Sequence, residues 1–119
     1  LQWHGWSDQL IAAENSIDYY ESVVKLFGGH AKVDNFYRLF MVPGMFHCRG
    51  GVGTDRFDAM TALINWVENG IAPATIAASQ VDKGKVVRTR PLCPYPLVAR
   101  YSGSGSPDEL ASFACKAPE

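Results

Sequence analysis

The sequence predicts an α/β architecture: two short parallel strands joined by a crossover helix, each ending in a tight turn, with a second helix and a hairpin-bearing extension behind them. Three observations carry this expectation. Residues 36–48, Phe-Tyr-Arg-Leu-Phe-Met-Val-Pro-Gly-Met-Phe-His-Cys, form a near-continuous apolar run that breaks at Pro43-Gly44, the texture of a buried parallel strand. Residues 1–8 share that grammar, with a short apolar lead (Leu1, Trp3) giving way to Gly5 and then a carboxylate. Between the two lies room for a helix, the connection that makes parallel strands neighbours with both C-terminal ends on one edge.

Working groups of open α/β sheets collect just past such strand ends. Asp8 follows the first strand and His47 the second. Neighbouring strands run about 4.8 Å apart, so the two side chains can reach one another. In an acid–histidine–nucleophile relay the acid fixes the imidazole tautomer and stabilises the imidazolium, while the other ring nitrogen takes the nucleophile's proton. Asp8 and His47 are the catalytic candidates on this pattern. Acid before histidine is the α/β-hydrolase order, in which the serine comes first of all. No serine here sits on a Gly-x-Ser-x-Gly elbow, and Gly103-Ser104-Gly105 lies after the histidine in a loop. The competing structural readings are a histidine that satisfies a loop carbonyl and an aspartate that forms a turn.

After Asp8, the turn Ala13-Glu14-Asn15-Ser16 leads into Ile17, Tyr20, Val24 and Phe27, which stripe one helix face at i, i+3, i+7 and i+10. Asn15 or Ser16 is the expected cap, and Gly28-Gly29 the stop. His30 falls in the return loop as a solvated surface histidine. His4, beside Gly5 at the strand end that carries Asp8, reads as a loop-packing residue with no role in proton transfer.

Beyond His47, Arg49-Gly50-Gly51-Val52-Gly53-Thr54 reads as backbone slack that lets the histidine turn inward and opens a second helix. Phe57, Met60, Ile64 and Val67 supply its apolar spacing, Thr54 its cap and Gly70 its stop, with Pro73 just beyond. Residues 75–81 and 85–90 read as strands around the hairpin signal Asp82-Lys83-Gly84. Pro91, Pro94 and Pro96 then interrupt regular structure, and Ser106, Pro107 and Glu109 form a capping box for a short last helix that returns Cys115 to Cys93. This tail reads as a stapled extension laid on the sheet edge.

With 119 residues, 47% hydrophobic and 12% aromatic, the chain can build one core. A net charge of −1 with interspersed signs argues against nucleic acid or an anionic membrane surface as partner. No apolar stretch approaches the roughly 20 residues that cross a bilayer, and the N-terminus lacks a basic-then-apolar leader. Both the lysine of the Gly-x-x-x-x-Gly-Lys-Ser/Thr loop and a strand-borne Gly-x-Gly-x-x-Gly are missing, which argues against nucleotide binding. His4, His30, His47 and Cys48 lie at irregular long spacings unlike those of metal ligands, so no metal site is expected. The chain begins without methionine and inside a strand, so a piece of something longer is expected. Cys93 and Cys115 are spaced to pair locally, leaving Cys48 to find a partner elsewhere. Such bridges belong to exported proteins, whereas three reduced, buried thiols in a cytosolic protein is the other reading of the same spacing.

Four motifs carry a resemblance that covers nearly the whole chain: His4-Gly5-Trp6-Ser7-Asp8, Asn15-Ser16-Ile17-Asp18-Tyr19-Tyr20, Val42-Pro43-Gly44-Met45-Phe46-His47-Cys48, and Arg88-Thr89-Arg90-Pro91-Leu92-Cys93-Pro94-Tyr95-Pro96. Together they resemble the C-terminal part of the tannase and feruloyl esterase family. The resemblance implies a secreted or periplasmic α/β-hydrolase acting on small-molecule esters of aromatic acids, with residues 1–74 as the C-terminal part of its catalytic domain and 75–119 as an extension of it. It makes Asp8 the triad acid and His47 the general base and acid. Cys48 becomes a half-cystine bonded to a cysteine beside the nucleophile serine, far upstream, and Cys93 pairs with Cys115. The family's lid domain, home of its substrate pocket and bound calcium, has no counterpart in these residues, so no cofactor is expected in the segment. Its partner would be the remainder of the same polypeptide, and alone it would be inactive. A non-catalytic interaction domain and a different α/β-hydrolase chemistry, such as a peptidase, are the alternatives.

Overall fold

The computed structural model describes Leu1–Glu119 throughout. Strands β1 (Gln2–Gly5) and β2 (Leu39–Val42) pair in parallel, with Gln2 opposite Leu39 and Gly5 opposite Val42. All four β2 residues are buried. Alternation of side chains across a strand explains how: Leu39 and Met41 pack with Tyr20, Val24 and Val33, whereas Phe40 and Val42 pack with Met45, Ile76, Ala78 and Leu92. A strand covered on both faces needs apolar residues at every position, which is why residues 39–42 show no polar alternation.

Helix α1 (Glu14–Phe27) and the single turn α2 (His30–Val33) make the crossover. Tyr20 and Val24 are buried as the stripe requires, and Gly28 ends the helix in the left-handed region at φ 79°. The cap differs from expectation. Ala13 holds the N-cap position without a side-chain bond, because the helix begins at Glu14, ahead of both expected caps, and the Ser16 hydroxyl bonds Gln2 and His4 on β1.

The second helix also starts later than its apolar spacing suggests. Phe57 belongs to β3 (Arg56–Phe57), paired with β4 (Ile76–Asp82), and α3 (Ala59–Asn69) is capped by Asp58, whose carboxylate accepts from the Thr61 N–H at 2.9 Å. Thr54, the expected cap, is buried instead. Met60, Ile64 and Val67 keep their helical spacing but face outward, Val67 being 75% exposed. Strand β4 and β5 (Lys85–Leu92) form the hairpin that the sequence announces, and Lys83 and Gly84 both take positive φ at its turn, the backbone that a two-residue hairpin loop demands.

The tail follows expectation in position and departs from it in structure. The Tyr95 N–H donates to the Leu39 carbonyl at 2.7 Å and Pro94 bridges Phe40, so the segment covers the edge of β2 that β1 leaves free. The expected last helix is only a 3₁₀ turn at Leu110–Ser112. The Ser106 hydroxyl caps a turn by accepting from Asp108 N–H, and the chain is then drawn out as β7 (Phe113–Lys116) against β6 (Val98–Tyr101). From β7 Cys115 reaches Cys93 in a disulfide with Cα atoms 5.6 Å apart. Closing a loop of 22 residues' separation is worth about 3 kcal/mol in chain entropy. Replacing both cysteines, Cys93→Ala with Cys115→Ala, is expected to lower unfolding free energy by about that amount, measured by denaturant titration under non-reducing conditions. An unchanged midpoint would mean that the tail is held by its strand pairing alone.

Candidate active site

The site lies where β1 and β2 both end. The turn after β1 is sewn to the loop after β2 by backbone bonds from Trp6 N–H to the Val42 carbonyl (2.9 Å) and from Ser7 N–H to the Met45 carbonyl (3.0 Å). Gly5 makes this approach possible: a Cβ there would lie 2.3 Å from the Met45 carbonyl oxygen, closer than any side chain can sit.

His47 is carried by a loop that folds back on itself. Gly44 turns the chain at φ 72°, buried Met45 anchors it, and the Phe46 and Gly53 N–H groups donate to the Gly50 and Gly44 carbonyls. Asp55 closes the loop by accepting from Gly50 N–H at 2.7 Å. The glycine run is therefore not slack, as its composition suggests. Gly51 pairs with Met45, and a Cβ on it would lie 2.1 Å from the Gly44 carbonyl, so the glycines are present because two backbone strands touch.

These two loops bring Asp8 and His47 together. Asp8 Oδ2 accepts from His47 Nδ1 at 2.8 Å, and Oδ1 accepts from the Leu10 and Ile11 N–H groups at 2.8 and 3.0 Å. Only 2% of the Asp8 side chain is exposed. Burial by itself raises its pKa, but the Ile11 and Leu10 amides and the two imidazoles on the carboxylate outweigh that and hold it far below the usual carboxylate range. The His47 ring is 36% exposed, and its Nε2 has no hydrogen-bond partner in the chain. Donation from Nδ1–H to a fixed carboxylate leaves Nε2 as the acceptor, the state in which an imidazole can take a proton from a hydroxyl.

The second imidazole on Asp8 is His4, a residue for which the sequence alone predicts only loop packing. Its Nε2 lies 2.9 Å from Asp8 Oδ2 and its Nδ1 2.7 Å from Ser16 Oγ. Strand parity was the available signal. Gln2 and His4 share one face of β1, the face turned to α1, and both reach Ser16 there. His30 stands apart on α2, beside Glu21 and Tyr20. Cys48 is exposed and unbonded within the chain, next to His47. No group of three or more His, Cys, Asp and Glu side chains is placed to hold a metal ion.

At the C-terminal rim of two parallel strands the chain thus pairs a carboxylate with an imidazole whose far ring nitrogen is open, an arrangement that can accept a proton there. The profile of the family described as tannase and feruloyl esterase matches residues 1–116, and the chain belongs to that family. It is 51% identical over 121 residues to a mono(2-hydroxyethyl) terephthalate hydrolase of Piscinibacter sakaiensis, covering 99% of this chain and 20% of that protein. A probable feruloyl esterase of Arthroderma benhamiae is 44% identical over 97% of the chain and 22% of its own length. Among solved structures, that of an esterase from Aspergillus oryzae superimposes with a TM-score of 0.87 at 35% identity, over 96% of this chain and 26% of the other. The chain thus spans about a fifth to a quarter of the length of the proteins it matches.

Gly5→Ala tests the seam that joins the loops. Overpacking at such a contact costs about 1–3 kcal/mol, and relief requires the His47 loop to withdraw. The expected outcome is a lowered melting temperature together with loss of the downfield Nδ1–H resonance of the Asp8–His47 bond in proton NMR. Retention of both would show that the seam does not set their separation.

Proposed function

We propose that this chain is the C-terminal part of an exported α/β-hydrolase that cleaves carboxylic esters of aromatic acids by a Ser-His-Asp mechanism, with the serine in the remainder of the polypeptide. The observation that carries the reading is the 2.8 Å contact between Asp8 Oδ2 and His47 Nδ1, with Nε2 left open at the strand ends. The relatives' names add the substrate class: feruloyl esters and mono(2-hydroxyethyl) terephthalate are both esters of aromatic acids. Their names denote ester hydrolysis, and nothing in the site favours a peptidase instead.

In this reading the serine Oγ attacks the ester carbonyl while His47 Nε2 accepts its proton, and Asp8 stabilises the imidazolium formed. Collapse of the tetrahedral intermediate breaks the ester C–O bond, and the departing alcohol takes the proton back from Nε2. Water then attacks the acyl-enzyme with His47 again as base, releasing the aromatic acid and restoring the serine.

Residues 1–74 bring the acid and the base to the catalytic domain, and 75–119 extend it. The rest of the polypeptide is the natural cover for the apolar surface left open here, where Leu10 is 72%, Leu26 80% and Val67 75% exposed. The Cys93–Cys115 bridge supports export to an oxidising compartment. Cys48, exposed and adjacent to His47, is assigned to a disulfide with a cysteine next to the serine. That bond would limit relative motion of base and nucleophile, where displacement by 1 Å costs about 100-fold in rate.

Substituting His47→Ala in the complete polypeptide is expected to lower kcat on an aromatic methyl ester by about 10⁴-fold or more. Undiminished turnover would remove His47 from the mechanism. Peptide mapping of the non-reduced protein is expected to recover Cys48 linked to a peptide from outside residues 1–119. A free Cys48 thiol would refute the tie between the loops.

A further inference from the structure

With His4 neutral, the hydrogen bonds around it run in one consistent set of directions. His47 Nδ1–H donates to Asp8 Oδ2. Asp8 is an acceptor only, so the His4 Nε2 on the same oxygen must also carry a proton. In the neutral ring His4 Nδ1 is then an acceptor, filled by the Ser16 hydroxyl at 2.7 Å. Ser16 Oγ in turn accepts from Gln2 Nε2 at 2.9 Å, and Gln2 Oε1 accepts from the Tyr37 hydroxyl. Every donor in this chain points towards Asp8. It begins at Tyr37, which packs against buried Tyr20, and passes through the first turn of α1.

From this arrangement we infer that His4 is a positioning residue for the Asp8–His47 pair, acting through its Nε2–H on the carboxylate oxygen that His47 uses. The inference rests on the proposed role of His47 and deepens it. Asp8 Oδ1 is already fixed by the Leu10 and Ile11 amides, so the backbone sets where the carboxylate is but leaves Oδ2 to its own donors. His47 is one, on a loop with its ring partly in solvent; His4 is the other, 10% exposed and backed by a helix. The same Nε2–H also lies 3.2 Å from the Ile11 carbonyl, which ties the ring to the turn that holds Oδ1. His4 touches no reacting atom. Its effect is to keep Oδ2 in place, and in the ionised state, while His47 changes protonation.

A pair of variants in the complete polypeptide separates N–H donation from packing, assayed on the aromatic ester that the wild type turns over. His4→Phe keeps a ring and loses the donor, and is expected to lower kcat by about 10- to 100-fold with KM within about twofold of wild type. His4→Gln loses the ring but can present an amide N–H from the same strand position, and is expected to recover kcat to within about threefold of wild type. The opposite ranking, an active phenylalanine variant and a crippled glutamine variant, would overturn the inference in favour of simple packing. Should His4→Phe fail to fold, Ser16→Ala removes the hydroxyl that holds the far side of the His4 ring while leaving His4 in place. A fall in kcat of about three- to tenfold is expected there, and unchanged kcat would overturn the inference. His47→Ala assayed in parallel keeps the two claims apart. Its inactivity beside a fully active His4→Phe defeats the His4 role alone, whereas an active His47→Ala defeats the reading on which that role stands.

Discussion

Everything in this chain hangs on the contact between two backbones at the end of a parallel strand pair. Parallel pairing sets β1 and β2 side by side with their C-terminal ends flush, Gly5 opposite Val42. That register alone would leave two loops free to diverge. The bonds from Trp6 and Ser7 to Val42 and Met45 continue the ladder past the strands, and the missing side chain at Gly5 lets the turn lie against the His47 loop. Because both loops are fixed by main-chain atoms, the side chains they carry meet without depending on their own attraction. The 2.8 Å Asp8–His47 bond is then a consequence of the fold more than a cause of it.

How much of this was legible in the sequence depended on whether a residue's environment is local. The apolar run 39–42, the middle of the α1 stripe at Tyr20 and Val24, the glycines that end both long helices and the hairpin at Lys83-Gly84 are set by neighbours a few residues away, and each reads correctly, whereas Phe27 at the end of the stripe is half exposed. Where pairing with a distant segment competes with local signals, the reading drifts. Phe57 has helical spacing but is taken by β4, and the capping box at Ser106 loses its helix to pairing of β7 with β6. Asp8 and His47 were legible because a topological rule links strand ends. The contact of His4 with Asp8 was not, since it comes with a strand parity that places His4 across from Ser16, twelve residues on and in another element. The glycines of the His47 loop were legible as glycines, while the backbone contact that requires them was not.

The layers around β2 explain why a short strand suffices to hold the site. One face rests on α1 and α2, the other on the β4–β5 hairpin, and Pro94 and Tyr95 cover the edge away from β1. An open strand edge invites pairing with foreign chains, and here the disulfide-held tail occupies it. The outward apolar stripe of α3 and the exposed Leu10 and Leu26 show the opposite situation. Helical periodicity marks a face as built for burial without naming what covers it.

Asp8 divides its work between its two oxygens. Two amides of its own turn hold Oδ1, which fixes one end of the carboxylate independently of either histidine. Oδ2 is left to two imidazole N–H groups, one rigid and one exposed. With four donors on one carboxylate, its charge is stabilised more than burial opposes it, and Asp8 stays ionised across the range in which histidine titrates. A proton arriving at His47 Nε2 therefore meets a full negative charge on the far side of the ring, and Nδ1–H has no tendency to pass its own proton on. The His47 ring thus faces a carboxylate that is held by four donors and kept ionised, the surroundings that stabilise an imidazolium.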